Sequence, residues 1–237
     1  MTSITEIAPA PRGRHRDDLH RTSPRRRTAI AAMIMLIGSA ACVAIAPVLM
    51  PESYSIVEHA VSASAGQGVE NAWVTRVGFL LIGFGVLTLA AIAGREWGPW
   101  GRSMHRVYGV SMMAAAAFAH QPWEDVPFVE FEDFLHSIAA SAVGFGFTVG
   151  VLFVALRRGR DTGLLRWFDG IAVIAALVIP ITMFNVAGIE GAVQRVLFLV
   201  GYLWYGTEAA RMARTPTNHA PVPAPEAAAW WPLTDGR

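Results

Sequence analysis

The sequence predicts an all-α, polytopic membrane protein: a bundle of six transmembrane helices with both termini cytoplasmic. Three observations carry that expectation. The chain is 54% hydrophobic and only 16% charged, its apolar residues gather in segments near membrane-spanning length, and its arginines sit on alternate connections. A soluble domain usually carries about a quarter charged residues. Here the mean hydropathy is +0.41 despite two polar tails, so long stretches of the chain are built to avoid water.

About 20 mostly apolar residues cross a bilayer. Residues 28–50 form the first such segment and hold no charge. The second, 73–94, has Arg76 near its start. The third, 104–121, is the weakest, because its strictly apolar part, 107–119, is short. Residues 134–156 carry only His136 as an ionisable group, and 170–189 hold Pro180, a candidate kink. Residues 192–210 close the set, with Gln194 and Arg195 near the start. The domain organisation is then a disordered basic tail over 1–27, a transmembrane domain over 28–212 and a second disordered tail over 213–237.

Charge tests the topology independently. With the N-terminus inside, every one of the 19 arginines except Arg76 and Arg195 falls on inner segments. Positive residues are retained on the cytoplasmic side during insertion, and only an even number of crossings gives this split. Trp73 and Trp123 fall at outer boundaries, and Trp97, Trp100 and Trp167 at inner ones, as an aromatic belt requires. A cleaved signal peptide fits poorly, since the apolar run is longer than the usual 7–15 residues. The single cysteine, Cys42, excludes a disulfide framework and reads as a small buried hydrophobe. The basic N-terminal run suits anionic lipid headgroups; no nucleic-acid-binding fold accompanies it, so the bilayer is the expected partner.

The outer segments collect the polar chemistry. They carry Glu52, Glu58, Glu70, Glu124, Asp125, Glu130, Glu132, Asp133 and Glu190, together with His59, His120 and His136. Carboxylates beside imidazoles can form acid/base pairs or bind a divalent cation such as zinc. In Glu132-Asp133-Phe134-Leu135-His136 the helical spacing puts both acids and the imidazole on roughly one face, while His120 ends the preceding helix. An acidic helix start followed by an interfacial histidine accounts for the same pattern without any ligand. Arg76 and Arg195, near the hydrocarbon, are expected to face the bundle interior within reach of Glu58, Glu132, Asp133 or Glu190. The ligand-binding set is therefore His59, Arg76, His120, Glu132, Asp133, His136 and Arg195, with His59, His120, His136 and Asp133 as the metal set. Ser137, Ser141, Gly144 and Thr148 form a small, polar stripe on the fourth helix, joined by Gly146 and Gly150; such stripes are usually packing faces. His105 reads as an interfacial histidine beside Arg102 and Arg106.

Several blocks carry a resemblance. Tyr54-Ser55, Glu58-His59, the run from Ser62 to Gly68, Asn71-Ala72-Trp73 and Arg76-Val77-Gly78-Phe79 are similar to the first outer loop and second helix of the domain of unknown function 998 family. His120-Gln121-Pro122-Trp123-Glu124 and the run from Glu132 to Ala140 resemble the outer loop and fourth helix of its actinobacterial members. The resemblance spans roughly residues 30–212 and implies a six-helix bacterial membrane protein, with no reaction attached.

These observations lead first to a non-enzymatic protein of the cell membrane whose outward polar pocket binds, senses or passes a small molecule, ion or lipid headgroup. The alternative is an outward-facing, metal-dependent lipid hydrolase, similar in logic to the alkaline ceramidases, in which a zinc-bound water attacks and Ser62, Ser64 or Asp133 assists. A haem role would need two histidines on facing helices at one depth. His105 and His120 stand at opposite ends of one helix, about 22 Å apart at 1.5 Å per residue, and cannot share an iron.

Overall fold

The computed structural model describes residues 23–158 and 163–214, and every regular element in them is helical. Six helices follow one another: α1 (Pro24–Ile45), α2 (Ala72–Ile92), α3 (Gly94–Ala117), α4 (Glu130–Arg157), α5 (Gly163–Asn185) and α6 (Glu190–Arg214). Each packs against the next, and α6 returns to α1 to close the ring. The chain alternates in direction, so two ends emerge. An arginine-rich end holds the start of α1, the single-residue passage from α2 to α3 at Ala93, and the end of α6. An acidic end holds the connections 46–71, 118–129 and 186–189.

Local chemistry sets the limits of these elements. Ser23 accepts a hydrogen bond from the Arg26 amide at 3.3 Å, and Pro24 takes the first helical position, where its missing N–H costs nothing. Helix α1 therefore starts before residue 28, and Arg25, Arg26 and Arg27 form its first turn instead of ending a tail. The other residues assigned to the tails, 1–22 and 215–237, lie outside the described residues. Helices α3 and α4 approach closely because glycines face α3. A side chain at Gly146 would stand 2.8 Å from the Tyr108 backbone nitrogen, and one at Gly150 would stand 2.7 Å from the His105 ring. The Ser137, Ser141, Gly144 stripe is not part of this packing: both serines are exposed and nothing lies within 4 Å of a side chain built at Gly144.

The outer surface of the ring is apolar. Ile34 and Ile37 on α1, Phe145 on α4, Ile174 and Phe184 on α5 are all at least 60% exposed. Contiguous apolar surface on this scale marks a partner medium other than water. Four segments are long and apolar enough to cross a membrane: α1 with the turn after it (Pro24–Leu49), α2, α4 and α5. This is the make-up of a multi-pass membrane protein. Helices α3 and α6 fall short on composition, not on length: they run 24 and 25 residues. Their polar side chains include Glu96, His105 and Arg211 and the buried Glu208, and these turn toward other helices. Trp97, expected at a boundary, is fully buried, whereas Trp73, Trp100 and Trp167 are exposed.

Candidate functional site

At the acidic end, the connections fold over the bundle and use the predicted site residues as fasteners. Helix α3 ends at Ala117, and the chain leaving it is caught by the first turn of α4. The Ala119 amide donates to Glu132 Oε1 at 2.7 Å, and the Gln121 amide donates to Asp133 Oδ1 at 2.8 Å. His120 Nδ1 donates to the same Asp133 oxygen at 2.6 Å. His136, nearly fully buried, donates from Nδ1 to the Phe118 carbonyl at 2.8 Å and stacks on His120 with ring centres 5.1 Å apart. Glu132, Asp133, His120 and His136 thus form one cluster.

His59 lies elsewhere. Its Nδ1 accepts from the Ser55 amide at 2.9 Å, and its ring stacks on Trp123 at 5.4 Å. The metal set of His59, His120, His136 and Asp133 does not converge. Among the described residues no three His, Cys, Asp or Glu side chains are placed to hold a metal ion. The four residues of that set are divided between two places, His59 beside Ser55 and Trp123, the other three at the start of α4. Ser64 is also committed, bonded to the Val61 carbonyl at 2.7 Å and to Thr75 at 2.8 Å in a buried position.

Both arginines at the acidic end turn into the protein, but toward carbonyls. Arg76 donates to Ala65 O at 3.0 Å and Gly66 O at 3.1 Å. Arg195 donates to Ile56 O, His59 O and Gly191 O between 2.8 and 3.1 Å, and to the Tyr54 hydroxyl at 2.6 Å. Among the described residues neither is ion-paired with a carboxylate, contrary to expectation. The reason is local: a connection with little regular structure exposes carbonyls that no helix satisfies, and a guanidinium with its five donors can gather several at once. Gln67 plays the same part between connections, exchanging hydrogen bonds with Val129 at 3.0 and 2.8 Å and donating to Ala119 O at 3.2 Å.

What stays open at this end is a groove of about 660 Å³ between the connections 46–71 and 118–129. Pro51, Glu70, Trp123, Glu124 and Phe128 stand around it. None of the seven predicted ligand residues lines it, because all seven are spent on holding the connections together.

At the arginine-rich end lies a second polar centre that the sequence reading missed. Asp169 on α5 and Glu208 on α6 are 0% and 1% exposed. Arg158, just past α4, bridges them: it donates to Asp169 at 2.8 and 2.9 Å and to Glu208. The Trp204 indole donates to Asp169 and the Trp97 indole to Glu208, each at 2.8 Å. Arg211 links Glu208 at 2.8 Å to Glu96 at 2.7 Å, and Arg25 also pairs with Glu96. His105 sits fully buried above this network, stacked on Trp204 at 4.9 Å and bonded through Nδ1 to the Tyr205 hydroxyl at 2.9 Å. It is a core residue and not the interfacial one expected. Two signals could have found this centre: carboxylates within largely apolar helices are costly and face the bundle, and buried indoles need acceptors.

Nothing among curated proteins or solved structures matches the chain. The family described as protein of unknown function (DUF998) matches residues 19–211, which take in all six helices except the last residues of α6. With a match over most of its length, the chain belongs to the DUF998 family.

Proposed function

We propose that the chain is a six-crossing protein of the cell membrane, with both termini cytoplasmic, that binds a small cationic molecule or headgroup in its outward groove. Supporting the crossings, α3 counted only from Pro99 still extends about 28 Å at 1.5 Å per residue, close to the ~30 Å hydrocarbon thickness. The arginine asymmetry supplies the orientation. With Cys42 replaced by serine, Asp125→Cys is expected to react with an impermeant maleimide in intact cells, while Ala220→Cys stays protected until the cells are opened. Labelling of residue 220 in intact cells would defeat this topology.

The observation that carries the binding role is the lining of the groove. Glu70 and Glu124 form no ion pair among the described residues, and they share the groove with Trp123 and Phe128. Carboxylates beside aromatic faces suit a cation with apolar substituents. At about 660 Å³ the groove lies within the roughly 300–1,000 Å³ usual for small-molecule sites. In a thermal-shift titration of the detergent-purified chain, tetramethylammonium is expected to raise the melting temperature of the wild type. The double variant Glu70→Gln/Glu124→Gln, both positions being exposed, should keep its own melting temperature and need roughly tenfold more of the cation. Equal responses from the two proteins would remove the groove as the binding site.

A further inference from the structure

We infer that the arginine-rich end carries a second binding site, distinct from the outward groove, for a phosphate group. The site is a pocket of about 250 Å³ lined by Arg95, Glu96, Arg157, Arg158, Leu165 and Arg211. Its charges do not cancel. Arg25, Arg158 and Arg211 are paired with Glu96, Asp169 and Glu208. The carboxylate of Glu96, the one acid among the described lining residues, is thus shared by Arg25 and Arg211. Arg95 and Arg157 are left over, with no carboxylate within 4.0 Å among the described residues. Two unneutralised guanidinium groups on one small pocket repel each other, and an anion bound between them removes that repulsion.

The backbone around Arg157 is shaped to hold its side chain at the pocket. Its Nε donates to the Arg95 carbonyl at 2.6 Å, which fixes the guanidinium and leaves its terminal nitrogens available. The side chain passes over Gly98, where α3 is broken by a φ of +64°. A Cβ at Gly98 would stand 3.1 Å from Arg157 Cδ and 3.3 Å from its Nε. Glycine serves both needs at once, the left-handed backbone and the room for the arginine.

Phosphate is the anion these groups suit best, because guanidinium forks match its oxygens with paired, charge-assisted hydrogen bonds. The pocket is smaller than the roughly 300 Å³ at which sites for larger ligands begin, so it takes a phosphate with at most a small substituent. Its chain neighbours point to the level of lipid headgroups: Leu156 and Leu164 are 73% and 85% exposed, and Trp100 and Trp167 are 65% and 76% exposed. The phosphate could come from an anionic phospholipid of the inner leaflet or from free phosphate, and the test separates them.

The full chain would be purified and its bound lipid measured by native mass spectrometry after exchange into micelles containing phosphatidylglycerol or phosphatidylcholine. In parallel, inorganic phosphate would be titrated in a thermal-shift assay against a chloride control. Three variants accompany the wild type: Arg95→Gln, Arg95→Gln/Arg157→Gln, and a tail control, Arg12→Gln/Arg14→Gln/Arg16→Gln. For a lipid phosphate, the wild type and the tail control retain phosphatidylglycerol in preference to phosphatidylcholine, and the double variant loses at least roughly tenfold of that retention. For free phosphate, inorganic phosphate stabilises the wild type and displaces bound lipid, and the double variant does not respond. Arg95 is exposed, so the single variant folds normally and shows a partial loss in either case. The proposal is overturned if wild type and Arg95→Gln behave alike toward both ligands, or if the tail control loses as much as the pocket variants.

Discussion

Arg158→Leu is expected to destabilise the folded chain by about 3–5 kcal/mol, because it leaves two buried carboxylates without their shared cation. Asp169 and Glu208 are held by Arg158 from one side and by the Trp204 and Trp97 indoles from the other. Removal of the guanidinium leaves Asp169 without a cation and Glu208 with Arg211 alone. The measurement is reversible unfolding in mixed micelles. The companion experiment is the triple variant Arg158→Met/Asp169→Leu/Glu208→Leu, which removes Arg158 and its two carboxylates together and should recover most of the loss, with Arg211 still paired to Glu96. Arg158→Lys should fall between, since a single ammonium cannot fork across both acids. A single leucine variant as stable as the wild type would mean that the two carboxylates are not buried as described.

The second large effect is expected from Gly191→Val at the start of α6. A side chain there would meet the His59 carbonyl oxygen at 2.3 Å and the Ile56 carbonyl oxygen at 2.5 Å. Both are backbone atoms and cannot swing aside like the end of a flexible side chain. The connection 46–71 must therefore lift off α6. With it would go the Ala192 amide bond to Val57 O at 3.0 Å, the Val61 amide bond to Gln194 at 2.5 Å, and the Arg195 fastening. Overpacking of this kind typically costs about 1–3 kcal/mol and here adds those lost bonds. Hydrogen exchange should show the amides of Val61 and Ala192 losing protection while the cores of α2 and α4 keep theirs. Unchanged protection at both amides would contradict the close approach of loop and helix.

Much of the fold was legible in the chain. The six apolar segments correspond to the six helices, four of them long and apolar enough to cross a membrane, because a backbone that leaves water must satisfy its own hydrogen bonds. The spacing of Glu132, Asp133 and His136 placed them on one helical face; His120, expected to end the preceding helix, lies three residues past its end at Ala117 and meets them from the connection. That is local geometry, fixed by the helical repeat and by adjacency in the chain. The beginning of α1 was less legible, since Arg25 to Arg27 look like tail until Ser23 and Pro24 are recognised as a helix start.

By itself, then, the sequence determined the helical class, the order of the helices and the gathering of arginine at one end, all of which follow from composition along the chain. Tertiary structure decided what each polar side chain does. Arg195 could have met any of several carboxylates on charge alone, but the carbonyls of residues 56 and 59, far away in the chain, reached it first. Asp169 and Glu208 look unrelated in sequence and meet only because α5 packs on α6 and the end of α4 brings Arg158 between them. Helical periodicity specifies which face a side chain is on, within one element. Which partner fills the space opposite that face depends on how the ring of helices closes, and that is a property of the whole chain.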